Sequence, residues 1–138
     1  MPIKVLSSVS ITPGQVKAWQ KILQPLTKEL QRQNGTSWTW VSGGCFAFAE
    51  QFAKVFGGKK KGIATLDKSS GDYPVNHAVV ELSGVLYDFN GRYTKPLKKG
   101  ETVVDKDAEG TYWFEDEFLD DKQMKALKSA LLKSKQLA

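Results

Sequence analysis

Residues 76–89 constrain the fold of this chain more than any other stretch. Two runs rich in β-branched and aromatic residues, 76–82 and 85–89, flank the dipeptide Ser83-Gly84. Such runs about a two-residue Gly turn read as a tight antiparallel hairpin. With that turn, Leu82 pairs with Val85, Val80 with Tyr87, Val79 with Asp88 and His77 with Asn90. Side chains alternate across a strand. Ala78, Val80 and Leu82 therefore share a wholly apolar face with Val85, Tyr87 and Phe89, and that face must pack on a core. His77, Val79, Glu81, Leu86, Asp88 and Asn90 take the other face. There His77 and Asp88 are diagonal neighbours, within reach of a hydrogen bond if the imidazole leans along the strand.

A hairpin alone is marginal in water and needs a second layer. The sequence supplies helices for it. Residues 13–33 carry Val16, Trp19, Leu23, Leu26 and Leu30 at helical spacing. Thr12 is the N-cap, Pro13 takes the first helical position and Gln15 completes a capping box. Pro25 should kink or split this helix after Gln24. Residues 45–56 form a second helix, burying Phe46, Ala49, Phe52, Ala53 and Phe56, and Gly57-Gly58 ends it before a basic loop, Lys59 to Lys61. A short strand is expected over 62–66, and a second hairpin from 102–104 to 111–114 around Ala108-Glu109-Gly110. Residues 120–136 are helical, capped by Asp120 or Asp121, with Met124, Leu127 and Leu131 inward. Helices segregated from an antiparallel sheet make an α+β fold, expected as one domain over residues 1–138.

Composition narrows the class. An aromatic content of 11% with four Trp argues against disorder. No apolar run approaches a membrane span, and the start of the chain lacks the pattern of a secretory signal. One Cys gives no intramolecular disulfide, so a cytoplasmic location with no membrane association is expected. The net charge is +5 but unevenly spread: residues 101–121 hold nine of the fifteen acids against Lys106 alone. Lysines cluster at 59–61, 95–99 and 122–135. Such patches can meet nucleic acid, though a solvated surface is the favoured reading. Residues 105–116 superficially match a calcium loop, but strand-like flanks favour a polar turn. No metal site and no cofactor is expected, since one Cys and one His leave too few zinc ligands.

That Cys and that His both stand where acyl chemistry would use them. Cys45 follows Ser42-Gly43-Gly44 and opens a helix, where unpaired N–H groups and the helix dipole favour a thiolate. The glycines allow a sharp turn and close approach of a substrate. The Cys45 N–H is a natural oxyanion donor. His77 lies on a strand, with Asp88 on its face to fix the imidazole tautomer.

The order and spacing in GGCFAFAEQFAKVF and YPVNHAVVELSGVLYDFNG resemble papain-like and transglutaminase-like cysteine hydrolases, over about residues 43–91. The resemblance implies Cys45 as nucleophile, His77 as general base and acid, and Asp88 as the group that orients it. It also implies a papain-like or transglutaminase-like core. Papain-like enzymes place an oxyanion Gln a few residues before the Cys, where this chain has Thr39. Gln33, Asn34, Trp40 and Ser42 are possible substitutes, with Gly44 and Asn90 as further cleft residues. Trp40 is favoured as core packing rather than cleft wall. Phe46 stands where papain-like proteases have Trp, and the absence of a second His excludes a Cys-His-His site.

The expected function is thus a small thiol hydrolase, a peptidase, amidase or acyl-transfer enzyme, acting on a protein, peptide or small amide. The rival reading is a non-catalytic binding protein holding a protein or nucleic acid on its charged surface. Its size would also suit an accessory or inhibitory protein of a virus or mobile element.

Overall fold

Helix α1 (Pro13–Ile22) starts where Thr12 and Gln15 cap each other, Gln15 N–H donating to Thr12 Oγ1 at 3.1 Å and Thr12 N–H to Gln15 Oε1 at 2.9 Å. The computed structural model describes residues 10–114 and 118–137. Helix α2 (Gln24–Asn34) follows after Leu23, which caps both helices. The break thus falls one residue before the position expected from sequence. Pro25 lacks an N–H, and its ring clashes with the carbonyl four residues back, so the last turn before it fails. Helix α3 (Cys45–Phe56) has the expected bounds, and eight of its twelve residues are buried. It lies between the sheet on one side and helix α4 (Asp121–Lys135) on the other. Asp120 is the N-cap of α4, closing a capping box with Gln123.

The sheet has strands β1 (Lys59–Thr65), β2 (Tyr73–Leu82), β3 (Val85–Asp88), β4 (Gly91–Arg92), β5 (Glu101–Asp105) and β6 (Thr111–Tyr112). Its order is β4-β3-β2-β1-β5, all antiparallel, with β6 added parallel to the start of β2. The β2–β3 turn is Ser83-Gly84, with φ of 53° and 80°. Both residues are left-handed, as a tight twisted hairpin requires. Leu82 pairs with Val85 and Val80 with Tyr87. Ala78, Val80, Leu82 and Tyr87 join the core with Trp19, Leu23, Trp40, Phe48, Phe52, Leu127 and Leu131. Among the described residues the protein is therefore α+β, four helices on a small, mainly antiparallel sheet.

Two expectations are corrected. Lys59 to Lys61 are strand, not loop, because each side of β1 has a partner strand and two of the lysines find carboxylates. Lys60 Nζ lies 2.8 Å from Glu50 on α3, and Lys61 pairs with Asp105 on β5. Nor do β5 and β6 form a hairpin. The turn over 105–111, closed by Ala108 N–H to Asp105 O and Thr111 N–H to Ala108 O, carries the chain past the end of the sheet. There Gly110 O accepts from Tyr73 N–H at 2.7 Å, which sets β6 beside β2. Asp105 is thereby committed to Lys61, and Asp116 of the calcium-like pattern lies outside the described residues. Among the described residues no helix is long and apolar enough to cross a membrane.

Candidate functional site

Three features of the sheet bring the site together. First, the β2–β3 ladder runs from Leu82↔Val85 to Val80↔Tyr87, and β3 then turns into β4 through Asp88↔Gly91. The expected continuation, Val79 to Asp88 and His77 to Asn90, is not part of the ladder. Second, the β1–β2 register shifts between Ile63↔His77 and Ala64↔Val75, with Asn76 as the extra residue. Two consecutive β1 residues face opposite sides, so the bulge turns His77 away from the face that Val75 occupies. Bulges re-aim side chains in this way beside functional sites. Third, Cys45 at the head of α3 reaches the edge of β2, where Ala78 N–H donates to its Sγ at 3.5 Å. A backbone donor that strand pairing would otherwise use is thus given to sulfur.

His77 Nε2 lies 2.9 Å from Asp88 Oδ2. A carboxylate only accepts, so chemistry assigns the proton to Nε2 and leaves Nδ1 for the thiol. Burial alone would pull the imidazole's pKa down. Hydrogen bonds and charge from Asp88 and Cys45 outweigh it and hold the value up at about 9, against an ordinary 6.5. Asp88 is itself buried, and its Oδ1 accepts from Asn90 N–H at 2.9 Å. The corner that carries it is tied to α1: Trp19 Nε1 donates to Phe89 O at 2.7 Å, and Gln20 Nε2 to the same oxygen at 3.3 Å.

The loop before Cys45 is built on Thr39. Its carbonyl accepts from Ser42 N–H at 3.2 Å and Gly44 N–H at 3.0 Å. Gly43 has φ of 120°, which explains its lack of a side chain. Gly44 does not, and its reason is Trp38: a Cβ there would sit 2.7 Å from Trp38 Cζ2 and 3.0 Å from Trp40 Cε3. The close approach that the glycines permit is that of a buried indole. Cys45 is 5% exposed. The N–H groups of Cys45, Phe46 and Ala47 have no acceptor among the described residues, as expected for an uncapped first turn.

The expected cleft residues fare differently. Asn90 lines a cleft of about 420 Å³ together with His77, Asp88, Val41 and residues of the segment after β4. Ser42 is exposed, its N–H turned to Thr39. Gly44 spends its N–H on Thr39, so it is not a free oxyanion donor. Trp40 is core: its Nε1 donates to Thr27 Oγ1 at 2.8 Å and its ring stacks on Phe89. Gln33 is engaged on α4, where its Oε1 accepts from Gln123 Nε2 at 3.1 Å. Trp40 has its one donor committed to Thr27, and Gln33 is held beside α4 through its accepting oxygen.

Sequence reasoning missed several residues. Tyr93 lies against His77, ring centroids 5.4 Å apart and planes tilted by 37°. Arg92, Lys95 and Lys98 line the cleft. Trp38 underlies the glycines, and its Nε1 is buried without a hydrogen-bond partner. Only the Gly-Gly pair that begins three places after Trp40 hinted that a bulky side chain lay beneath it. Among the described residues no group of three or more His, Cys, Asp or Glu could hold a metal ion. No family model, no curated protein and no solved structure matches this chain.

Proposed function

We propose that this protein is a thiol-dependent acyl hydrolase or acyl-transfer enzyme, with Cys45 as nucleophile, His77 as base and acid, and Asp88 as the group that orients His77. One observation carries the reading: the chain's one Cys and one His share a site with a buried carboxylate, 2.9 Å from the imidazole. The papain-like or transglutaminase-like resemblance fits the same roles and belongs to this proposal.

With its pKa held up at about 9, His77 already carries the proton at neutral pH, so Cys45 reacts as the thiolate of a preformed thiolate–imidazolium pair that Asp88 stabilises. The sulfur attacks the acyl carbon. The oxyanion meets the open N–H groups at the head of α3, where the helix dipole also favours negative charge. His77 then returns its proton to the leaving group, and a thioester remains on Cys45. Water, or an acceptor amine, activated by the now neutral imidazole, releases the acyl group.

The test uses p-nitrophenyl acetate. Wild-type protein should release about one equivalent of nitrophenol in a burst, carry an acetyl group on Cys45 by mass spectrometry, and turn over slowly. Cys45→Ala should lose burst and adduct while keeping its circular dichroism. His77→Gln should slow acylation by about 10²–10⁴-fold, the usual worth of a positioned base. Equal turnover in wild type and Cys45→Ala would refute the proposal and favour a binding role.

A further inference from the structure

From the cleft beside His77 we infer that the site selects acyl substrates bearing a carboxylate close to the reacting carbonyl, such as an acidic peptide; the inference rests on the acyl chemistry proposed for Cys45. The cleft's charges are unequal. Arg92, Lys95 and Lys98 line it, against Asp88 and Glu101. Neither acid forms an ion pair with those cations, and three positive charges outnumber the two acids. Asp88 is spent on His77 and on Asn90 N–H. Glu101 Oε1 accepts from the backbone N–H of Lys98 at 2.7 Å. Among the described residues Arg92, Lys95 and Lys98 enter no ion pair.

The placement is also fixed. Glu101 N–H donates to Lys98 O at 2.9 Å, so the two reciprocal bonds between residues 98 and 101 close the end of the loop that carries Lys95 and Lys98. Arg92 is held on β4, opposite Tyr87. Its planar fork matches a carboxylate with two parallel hydrogen bonds, and the lysines add charge without demanding geometry. The Tyr93 ring, tilted against His77, gives the substrate's stem an apolar wall. Clefts lined by one sign of charge raise the local concentration of oppositely charged ligands by tenfold or more. An anionic acyl group is therefore drawn to the wall that His77 forms.

Three reagents test this, all alkylating Cys45 by displacement of bromide: bromoacetyl-glutamate amide, bromoacetyl-glutamine amide and bromoacetyl-glutamine with a free α-carboxylate. The first two match in size and differ in charge. The third moves the carboxylate from a side chain to a chain terminus. At pH 7 and low salt, at least one anionic reagent should outpace the neutral one by about tenfold, and salt should erode the difference. Whichever anionic reagent leads assigns the carboxylate to side chain or terminus. The triple variant Arg92→Gln, Lys95→Gln, Lys98→Gln should bring the ratio near one. A control that removes three lysines lining a separate hollow, Lys54→Gln, Lys125→Gln and Lys128→Gln, should keep it. A wild-type ratio near one, or equal loss in both variants, would overturn the inference. Loss of the ester burst with the charge preference retained would instead count against the acyl chemistry alone.

Discussion

The held-up pKa of His77 has a consequence for stability that is open to direct measurement. The group titrates near 6.5 when unfolded and at about 9 in the fold. A raised pKa means that the folded state binds the proton more tightly. Stability from this source is therefore full below pH 6.5 and is lost as pH climbs through 9. At roughly 1.4 kcal/mol per pKa unit, the loss across that window is about 3 kcal/mol. His77 is mostly buried, with 14% of its side chain exposed, so solvent screening removes little of this. The assay is urea unfolding at intervals from pH 6 to 9.5, in wild type and His77→Gln, followed by tryptophan fluorescence. With an m-value of about 2 kcal/mol/M, the wild-type midpoint should drop by about 1.5 M relative to the variant. The upper limit keeps clear of Tyr93, whose phenol is pushed up by burial and by the charges of Glu101 and Asp88. Asp88→Asn keeps an accepting oxygen but removes the charge, and Cys45→Ala removes the sulfur that also holds the value up, so both should narrow the window from its upper end. A wild-type difference from His77→Gln that stays flat between pH 6.5 and 9 would refute the reasoning.

Two further expectations concern the support of the site. Gly44→Ala places a methyl 2.7 Å from Trp38, between two buried indoles, and should cost about 1–3 kcal/mol in urea unfolding and slow the ester burst. Thr27→Val leaves the buried Trp40 N–H without its acceptor and should cost about 1–3 kcal/mol, while Thr27→Ser should restore most of it.

The local chemistry of the site was legible in the sequence to the extent that it depends on local rules. Ser83-Gly84 sets the register, the register sets parity, and parity puts His77 and Asp88 on one face. Gly43-Gly44 and the helical pattern after it put Cys45 at a helix start. What escaped depends on partners far along the chain. Trp40 packs in the core as the sequence favoured, but the acceptor of its N–H, Thr27, lies thirteen residues earlier and has no local signal. Gln33 is held by the side chain of Gln123, ninety residues away on α4. The lysines of β1 read as a loop because the carboxylates that accept them lie on α3 and β5. The bulge at Asn76 and the parting of β3 from β2 have no sequence signature, since Asn and Tyr are compatible with an unbroken ladder.

Those two irregularities explain how groups from opposite sides of the sheet meet. Cys45 belongs to the helical layer, and His77 belongs to the far face of β2. An unbroken β2–β3 ladder would stand between them. Once β3 leaves β2 after Tyr87, the edge of β2 is open, Ala78 N–H finds sulfur, and the imidazole lies beside it. Burying ionisable groups at such an opening is costly unless each is fully bonded. Here Asp88 uses both oxygens, His77 is bonded to Asp88 and feels the Cys45 sulfur, and the corner behind Asp88 is tied to α1 by Trp19 and Gln20. A buried Cys that only filled space would need none of this, because a small apolar side chain would pack as well without a titratable neighbour. The polar support around one sulfur is what an imidazole-assisted thiol requires, and it is the physical reason to test Cys45 as a nucleophile before any surface is tested for binding.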